Sequence, residues 1–165
     1  MELSQSLDSR YIAVKGDILE ALLINKALWV PAAAWCAAQV LKVIIGSIKE
    51  KRLKWSYLTT MGGMPSSHAT LVCALAMTIA IVYGVGSPLF AIAAIFALVV
   101  MYDAAGVRQT VSTQSTMLNR ILEELFKGNP DFQQRLRELI GHTKFEVAAG
   151  ALLGIVFAFL VVWDW

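Results

Sequence analysis

The sequence predicts an all-α, polytopic membrane helical bundle, and two features of composition and pattern support this. Of its 165 residues, 58% are hydrophobic and only 16% are charged, with a mean hydropathy of +0.63. These values lie outside the usual range of soluble domains. Apolar runs of about 20 residues, the length that crosses a bilayer core, recur along the chain. We therefore expect one integral membrane domain, residues 1–165, with about four transmembrane helices.

The predicted spans place the polar groups that interrupt them at one face of the membrane. In chain order the spans are 27–46, 69–85, 88–107 and 145–163. Lys42 and Asp103 lie near the ends of the first and third spans, and His68 and His142 directly precede the second and fourth. Residues 84–88 are too few for anything but a tight turn. Four crossings therefore bring these four polar residues to the same side.

Three segments outside the spans also have a predicted structure. Residues 1–25 form an interfacial N-terminal segment, because residues 4–24 mix apolar and charged positions with helical spacing typical of an amphipathic helix. Residues 112–128 and 131–140 are predicted as short surface helices between the third and fourth spans. Cys36 and Cys73 fall in apolar stretches, where a thiol behaves as a small hydrophobe.

The distribution of basic residues predicts the orientation. Of the 14 Lys and Arg residues, 11 lie at the face with the polar groups, and only Arg10, Lys15 and Lys26 lie at the other. Cytoplasmic loops are enriched in Lys and Arg, so this multi-pass protein should carry its site on the cytoplasmic face. The opposite face has an aromatic belt: Trp29, Trp163 and Trp165.

The chain has two histidines, and both lie in short polar islands. A titratable imidazole beside lipid is costly unless it is used. Phosphoryl transfer uses such a pair, since one imidazole attacks phosphorus and a second protonates the leaving oxygen. On a helix, the Glu146 carboxylate could accept the Nδ1 proton of His142 and leave Nε2 as the nucleophile. The island of residues 62–68 adds Gly63, which allows close backbone approach, and the hydroxyls of Ser66 and Ser67, which can hold anionic oxygens.

These strings resemble the type 2 phosphatidic acid phosphatases, which share their site with acid phosphatases and vanadium haloperoxidases, and in particular the compact divergent branch of that superfamily. The first family motif is a Lys with an Arg seven residues later; here Lys42 and Lys49 have this spacing, with Arg52 nearby. The second and third motifs, Pro-Ser-Gly-His and His-x-x-x-Asp, are represented by Pro65-Ser66-Ser67-His68 and His142-x-x-x-Glu146.

The resemblance implies a role for each matching residue. His142 would be the nucleophile, Glu146 its orienting acid and His68 the general acid, with phosphate held by Lys42, Lys49, Arg52, Ser66 and Ser67. The Arg that the family places six residues before the nucleophile is absent. Arg137, five residues before it, and Arg108 from the third span are the candidates to replace it, and Asp103 either supports the site or pairs with Arg108.

The implied function is hydrolysis of a lipid phosphomonoester or lipid diphosphate through a phosphohistidine intermediate, without metal or other cofactor. The expected partners are membrane lipids and the lipid phosphate substrate, and no nucleic acid. One alternative is a non-catalytic module that binds phosphate or anionic lipid. Another is a metal site built from His68, His142, Asp103 and Glu146.

Two structural alternatives remain open in the sequence. Each histidine alone could cap a helix. Gly150 and Gly154, a G-x-x-x-G pair in the fourth span, could pack helices within one protomer or between protomers of a homo-oligomer.

Overall fold

The computed structural model describes residues 18, 20–51, 63–126 and 142–163, apart from the side chains of Lys49, Arg108 and Gln109. Within these ranges every regular element is helical, which confirms the all-α prediction. The elements are α1 (Lys26–Glu50), α2 (Ser67–Tyr83), α3 (Pro88–Tyr102), a π-helical segment (Asp103–Val107), α4 (Arg108–Leu125) and α5 (Lys144–Trp163).

Among the residues that the structure describes, three helical stretches are long and apolar enough to cross a membrane: Lys26–Ile48, Pro88–Leu125 and Lys144–Trp163. α2 is also apolar but has 17 residues. At 1.5 Å per residue it is about 26 Å long, slightly less than the ~30 Å of a bilayer core. The fold is therefore an α-helical membrane bundle, and the path with four crossings stays a prediction.

α2 is the central helix of the bundle. It packs against α1, α3 and α5, and α1 also packs against α5. Small side chains dominate the contacts: Ala34, Ala74 and Ala158 meet in one buried cluster of α1, α2 and α5, and Ala69 and Ala104 meet in another near the start of α2. Because lipid tails are as apolar as leucine, close packing of small residues is a main source of helix association in membranes.

The closest approach is between α2 and α5. A Cβ atom added at Gly150 would overlap the carbonyl oxygen of Ser66 and lie 3.1 Å from its carbonyl carbon. One added at Gly154 would overlap the carbonyl oxygen of Thr70 and lie 2.9 Å from the amide nitrogen of Ala74. The G-x-x-x-G pair therefore packs within the chain, against α2.

The turn between α2 and α3 is as tight as the sequence predicts. Gly84 has φ +83°, and the backbone N–H of Ser87 donates to its carbonyl at 3.2 Å. The Ser87 hydroxyl caps α3 by accepting from the N–H of Phe90 at 3.2 Å, and Pro88 is the first helical residue. α2 and α3 are therefore antiparallel neighbours.

The predicted boundary after the third span is wrong. α3, the π-helical segment and α4 form one continuous helix of 38 residues, so the helix placed at 112–128 already begins at Arg108 and ends at Leu125. The apolar run stops near Val107, but residues 107–125 contain neither Pro nor Gly. A fall in hydropathy marks the point at which a helix leaves the lipid. The helix itself can continue beyond that point, as it does here.

The predicted helix at 131–140 and most of the interfacial segment 1–25 lie outside the described residues. Within that segment, Ile18 and residues 20–23 are helical and exposed.

Candidate functional site

The two histidine islands lie at the same end of the bundle. The backbone N–H of Ser66, directly before α2, donates to the carbonyl of Glu146 in the first turn of α5 at 3.0 Å. His68 is in the first turn of α2, two residues after Ser66, and His142 lies just before α5. Packing of α2 on α5 thus brings together the two histidine islands, which are distant in the sequence.

His142 is held by Glu146. The residue is 1% exposed, and Nδ1 lies 3.2 Å from Glu146 Oε2. This contact suits the tautomer that has its proton on Nδ1, which donates to the carboxylate oxygen. Nε2 then keeps its lone pair, which is the tautomer that a nucleophilic histidine requires.

Thr143 fixes the carboxylate of Glu146. The backbone N–H of Thr143 donates to Glu146 Oε2 at 3.0 Å, and Thr143 Oγ1 accepts from the backbone N–H of Glu146 at 3.3 Å. This reciprocal pair is a capping box at the start of α5. The sequence interpretation missed Thr143, although T-x-x-E before an apolar run is the signature of this motif.

The capping residues are therefore not the histidines. Thr143 caps α5, and Ser66 caps α2 by accepting from the N–H of Ala69 at 3.4 Å. His68 and His142 are therefore not the N-cap residues of α2 and α5, a role that the sequence allowed for each of them.

The start of α2 presents hydrogen-bond donors at this end of the bundle. Ser66 and Ser67 are 0% and 3% exposed. Ser66 Oγ accepts a hydrogen bond as the cap, but a hydroxyl also has a proton to donate. Gly63, with φ +95°, adopts a backbone conformation open mainly to glycine just before these residues. A helix N-terminus with free N–H groups favours anions.

Lys42 of α1 reaches the same place. It is 2% exposed, and its methylene carbons Cγ and Cδ lie 3.6 and 3.7 Å from a Cβ position built on Gly63. Its ammonium group is attracted by the Glu146 carboxylate. A buried cation needs a nearby anion. For Lys42 this anion is the carboxylate of Glu146, the partner of His142.

The π-helical segment adjoins these groups. Ala104 packs against Ala69 of α2 and Val147 of α5, so the segment lies beside the starts of both helices. Asp103, its first residue, is half-buried. Single π turns inside α-helices are frequent at functional sites. The predicted pairing of Asp103 with Arg108 involves a side chain outside the described part of the chain.

The other predicted phosphate ligands cannot be placed. Arg52 and Arg137 lie outside the described residues, and of Lys49 only the backbone is described. Within the described ranges, no three His, Cys, Asp or Glu side chains come together as a metal-binding group, and this holds for His68, His142, Asp103 and Glu146.

The fold and the polar end of its apolar helices define an integral membrane protein of the α-helical class. A family model described as "Divergent PAP2 family" matches residues 23–157, and the chain belongs to this family. The match includes both histidine islands and Lys42, so the resemblance inferred from the motifs is confirmed. The chain is also 38% identical over 153 residues to the "Uncharacterized membrane protein YuiD" of Bacillus subtilis, covering 86% of this chain and 97% of that protein. No solved structure matches significantly.

Proposed function

We propose that this protein is a membrane phosphatase that hydrolyses a lipid phosphomonoester or lipid diphosphate through a phosphohistidine on His142. The observation that carries the proposal is the contact of buried His142 with half-buried Glu146, with Nδ1 and Oε2 3.2 Å apart, beside Lys42 and the N-terminus of α2. Membership of the divergent PAP2 family supports it.

In the first half-reaction, the Nε2 lone pair of His142 attacks phosphorus. The N–P bond forms as the bond between phosphorus and the leaving oxygen breaks, and the imidazolium of His68 gives its proton to that oxygen. Glu146 stabilises the positive charge that develops on the His142 ring. Lys42 and the donors at the start of α2 neutralise the equatorial phosphate oxygens.

In the second half-reaction, water attacks the phosphohistidine. His68, now neutral, takes a proton from the water as the O–P bond forms. The N–P bond breaks, inorganic phosphate leaves, and the lone pair returns to Nε2 of His142. Both histidines are then back in their starting protonation states.

The lipid substrate is inferred from location. The site is at the end of membrane-spanning helices, where lipid phosphates are concentrated. The excess of Lys and Arg at this end favours the cytoplasmic face. Phosphatidic acid, phosphatidylglycerol phosphate and polyprenyl diphosphate all fit this description.

Phosphate release from a panel of these lipids, with detergent-purified protein, tests the proposal. We expect turnover by the wild type and none by His142→Ala. Thr78→Val is a matched control for folding, because Thr78 is fully buried and its hydroxyl bonds, within the described part of the chain, only to the carbonyl of Ala74 in α2 at 2.8 Å. Turnover that survives in His142→Ala would remove the nucleophile assignment.

His68 can be tested separately through the leaving group. A general acid matters only when the leaving oxygen needs a proton. We expect His68→Ala to slow the first turnover, in which the leaving alcohol is released, on a lipid alkyl phosphate but much less on an aryl phosphate with an acidic phenol. The later attack of water, which also uses His68, is the same for both esters. An equal loss on both esters would contradict the general-acid role.

Orientation can be tested with a membrane-impermeant thiol reagent after Cys36 and Cys73 are replaced by Ala. Gly86→Cys lies in the turn between α2 and α3, and Glu124→Cys lies at the far end of α4; both positions are exposed. In intact cells we expect only the cysteine at position 86 to react. Labelling of only the cysteine at position 124 would place the site on the outer face.

A second candidate function is a non-catalytic module that binds phosphate or anionic lipid. The burial of His142, at 1% exposure, and the use of the Glu146 carboxylate in the α5 cap are the observations that favour it. This candidate predicts binding of inorganic phosphate by the wild type with no turnover on any lipid of the panel.

A further inference from the structure

Two hydrogen bonds cross the seam between α2 and α5 close to the candidate site. The first joins the N–H of Ser66 to the carbonyl of Glu146 at 3.0 Å. The second joins the hydroxyl of Thr70 to the carbonyl of Gly150 at 3.0 Å. The donors are four residues apart on one helix and the acceptors four residues apart on the other, so the two bonds are one helical turn apart.

The seam permits these bonds because Gly150 has no side chain. The Ser66 peptide lies where a Cβ of residue 150 would be, with its carbonyl carbon and nitrogen both 3.1 Å from that position. Thr70 is completely buried in the same contact. Its hydroxyl also lies 2.9 Å from the Ser66 carbonyl, so its single proton is shared between the peptide of the cap residue and the Gly150 carbonyl of α5.

Glu146 links this seam to the histidine. Its carbonyl receives the Ser66 N–H, and its carboxylate receives Nδ1 of His142. The distance from the His142 ring to the donors of Ser66 and Ser67 therefore depends on how α2 sits on α5. The hydrogen bond from Thr70 to the Gly150 carbonyl fixes this relative position of the two helices, which is their register.

We propose that Thr70 is a positioning residue, which with Gly150 sets the register between the phosphate-binding start of α2 and the nucleophile before α5. This inference rests on the proposed function. Thr70 itself touches neither substrate nor reacting atoms. A displacement of reacting groups by about 1 Å can cost about 10²-fold in rate, whereas an interhelical hydrogen bond in a membrane contributes little to stability. Loss of the Thr70 hydroxyl should consequently affect rate more than folding.

Thr70→Val tests the proposal, with Thr78→Val as its matched control. Both threonines are 0% exposed on α2 and both hydroxyls bond to a carbonyl four residues earlier, but only Thr70 also bonds to α5. We expect Thr70→Val to lower kcat about 10-fold with KM nearly unchanged, Thr78→Val to leave kcat at the wild-type value, and Thr70→Ser to restore it.

The outcomes separate this proposal from the proposed function. An inactive wild type on every lipid phosphate overturns both. An active wild type with equal kcat in Thr70→Val and Thr78→Val overturns the positioning role alone, as does a change confined to KM. If Thr70→Val does not give monodisperse protein, Thr70→Ala against Thr78→Ala provides the same comparison without the added methyl group.

Discussion

Gly150→Ala should separate the two helices that carry the candidate site. The added Cβ would overlap the Ser66 carbonyl oxygen and lie 3.1 Å from the carbonyl carbon and nitrogen of that residue, whereas ordinary contacts are 3.4–4 Å. Neither neighbour is a flexible side chain, so the backbones must move apart by about 0.5–1 Å. The Ser66–Glu146 hydrogen bond, now 3.0 Å, would then exceed the normal range.

The expected magnitudes follow from these changes. Overpacking costs about 1–3 kcal/mol and loss of the hydrogen bond about 1 kcal/mol, while alanine gains about 1 kcal/mol over glycine in a helix. The net destabilisation is therefore about 1–3 kcal/mol. Because the start of α2 moves away from His142, we also expect a loss of about 10²-fold in kcat.

Gly106→Ala is the control, because among the described atoms none outside the local helix backbone lies within 4 Å of a Cβ added at Gly106 in the π-helical segment. Thermal unfolding followed by tryptophan fluorescence in detergent, together with lipid phosphate release, measures both effects. We expect only Gly150→Ala to show a lower unfolding midpoint and slower turnover. Equal stability and activity of the two variants would refute the reasoning from close backbone contact.

Four further predictions concern the chemistry. Glu146→Gln keeps the shape of the α5 cap but removes the charge that selects the tautomer of His142, so we expect kcat to fall about 10³-fold or more with little change in the unfolding midpoint; a normal kcat would contradict the orienting role. Ser66→Ala should lower kcat about 10²-fold and destabilise α2 by about 1 kcal/mol, as measured by turnover and thermal unfolding. Lys42→Met should weaken binding of orthovanadate, measured by calorimetry, and unchanged affinity would exclude Lys42 as an anion ligand. Activity should persist in a metal chelator and be inhibited by orthovanadate, while loss of activity in the chelator would support the metal alternative.

The sequence was sufficient to predict the fold class and that the two histidine islands lie at the same end of the bundle. Long apolar runs give the helices, and alternation of chain direction places His68 and His142 together without any knowledge of packing. The contact of His142 with Glu146 was also predicted, but for a different reason, since His142 lies before α5 and the capping box with Thr143 turns the carboxylate back toward it.

Other features depend on how the helices meet, and no local pattern contains that information. Nothing near Thr70 indicates that its hydroxyl reaches the carbonyl of Gly150 in a distant helix. The continuity of α3 with α4 was missed for a different reason: hydropathy reports the solvent around a helix, whereas its end depends on residues that cannot continue the backbone hydrogen bonds.

The unbroken helix from Pro88 to Leu125 has a consequence for the depth in the membrane at which a lipid would bind. Its 38 residues measure about 57 Å, and the first 20, as far as Val107, already match a hydrocarbon layer of ~30 Å. Asp103 would then lie inside the hydrocarbon layer, only about 6 Å from its boundary near Val107. Withdrawing a 16-carbon acyl tail from the bilayer costs about 13 kcal/mol. At this depth a lipid would present its headgroup to the histidines with its tails still dissolved in the membrane.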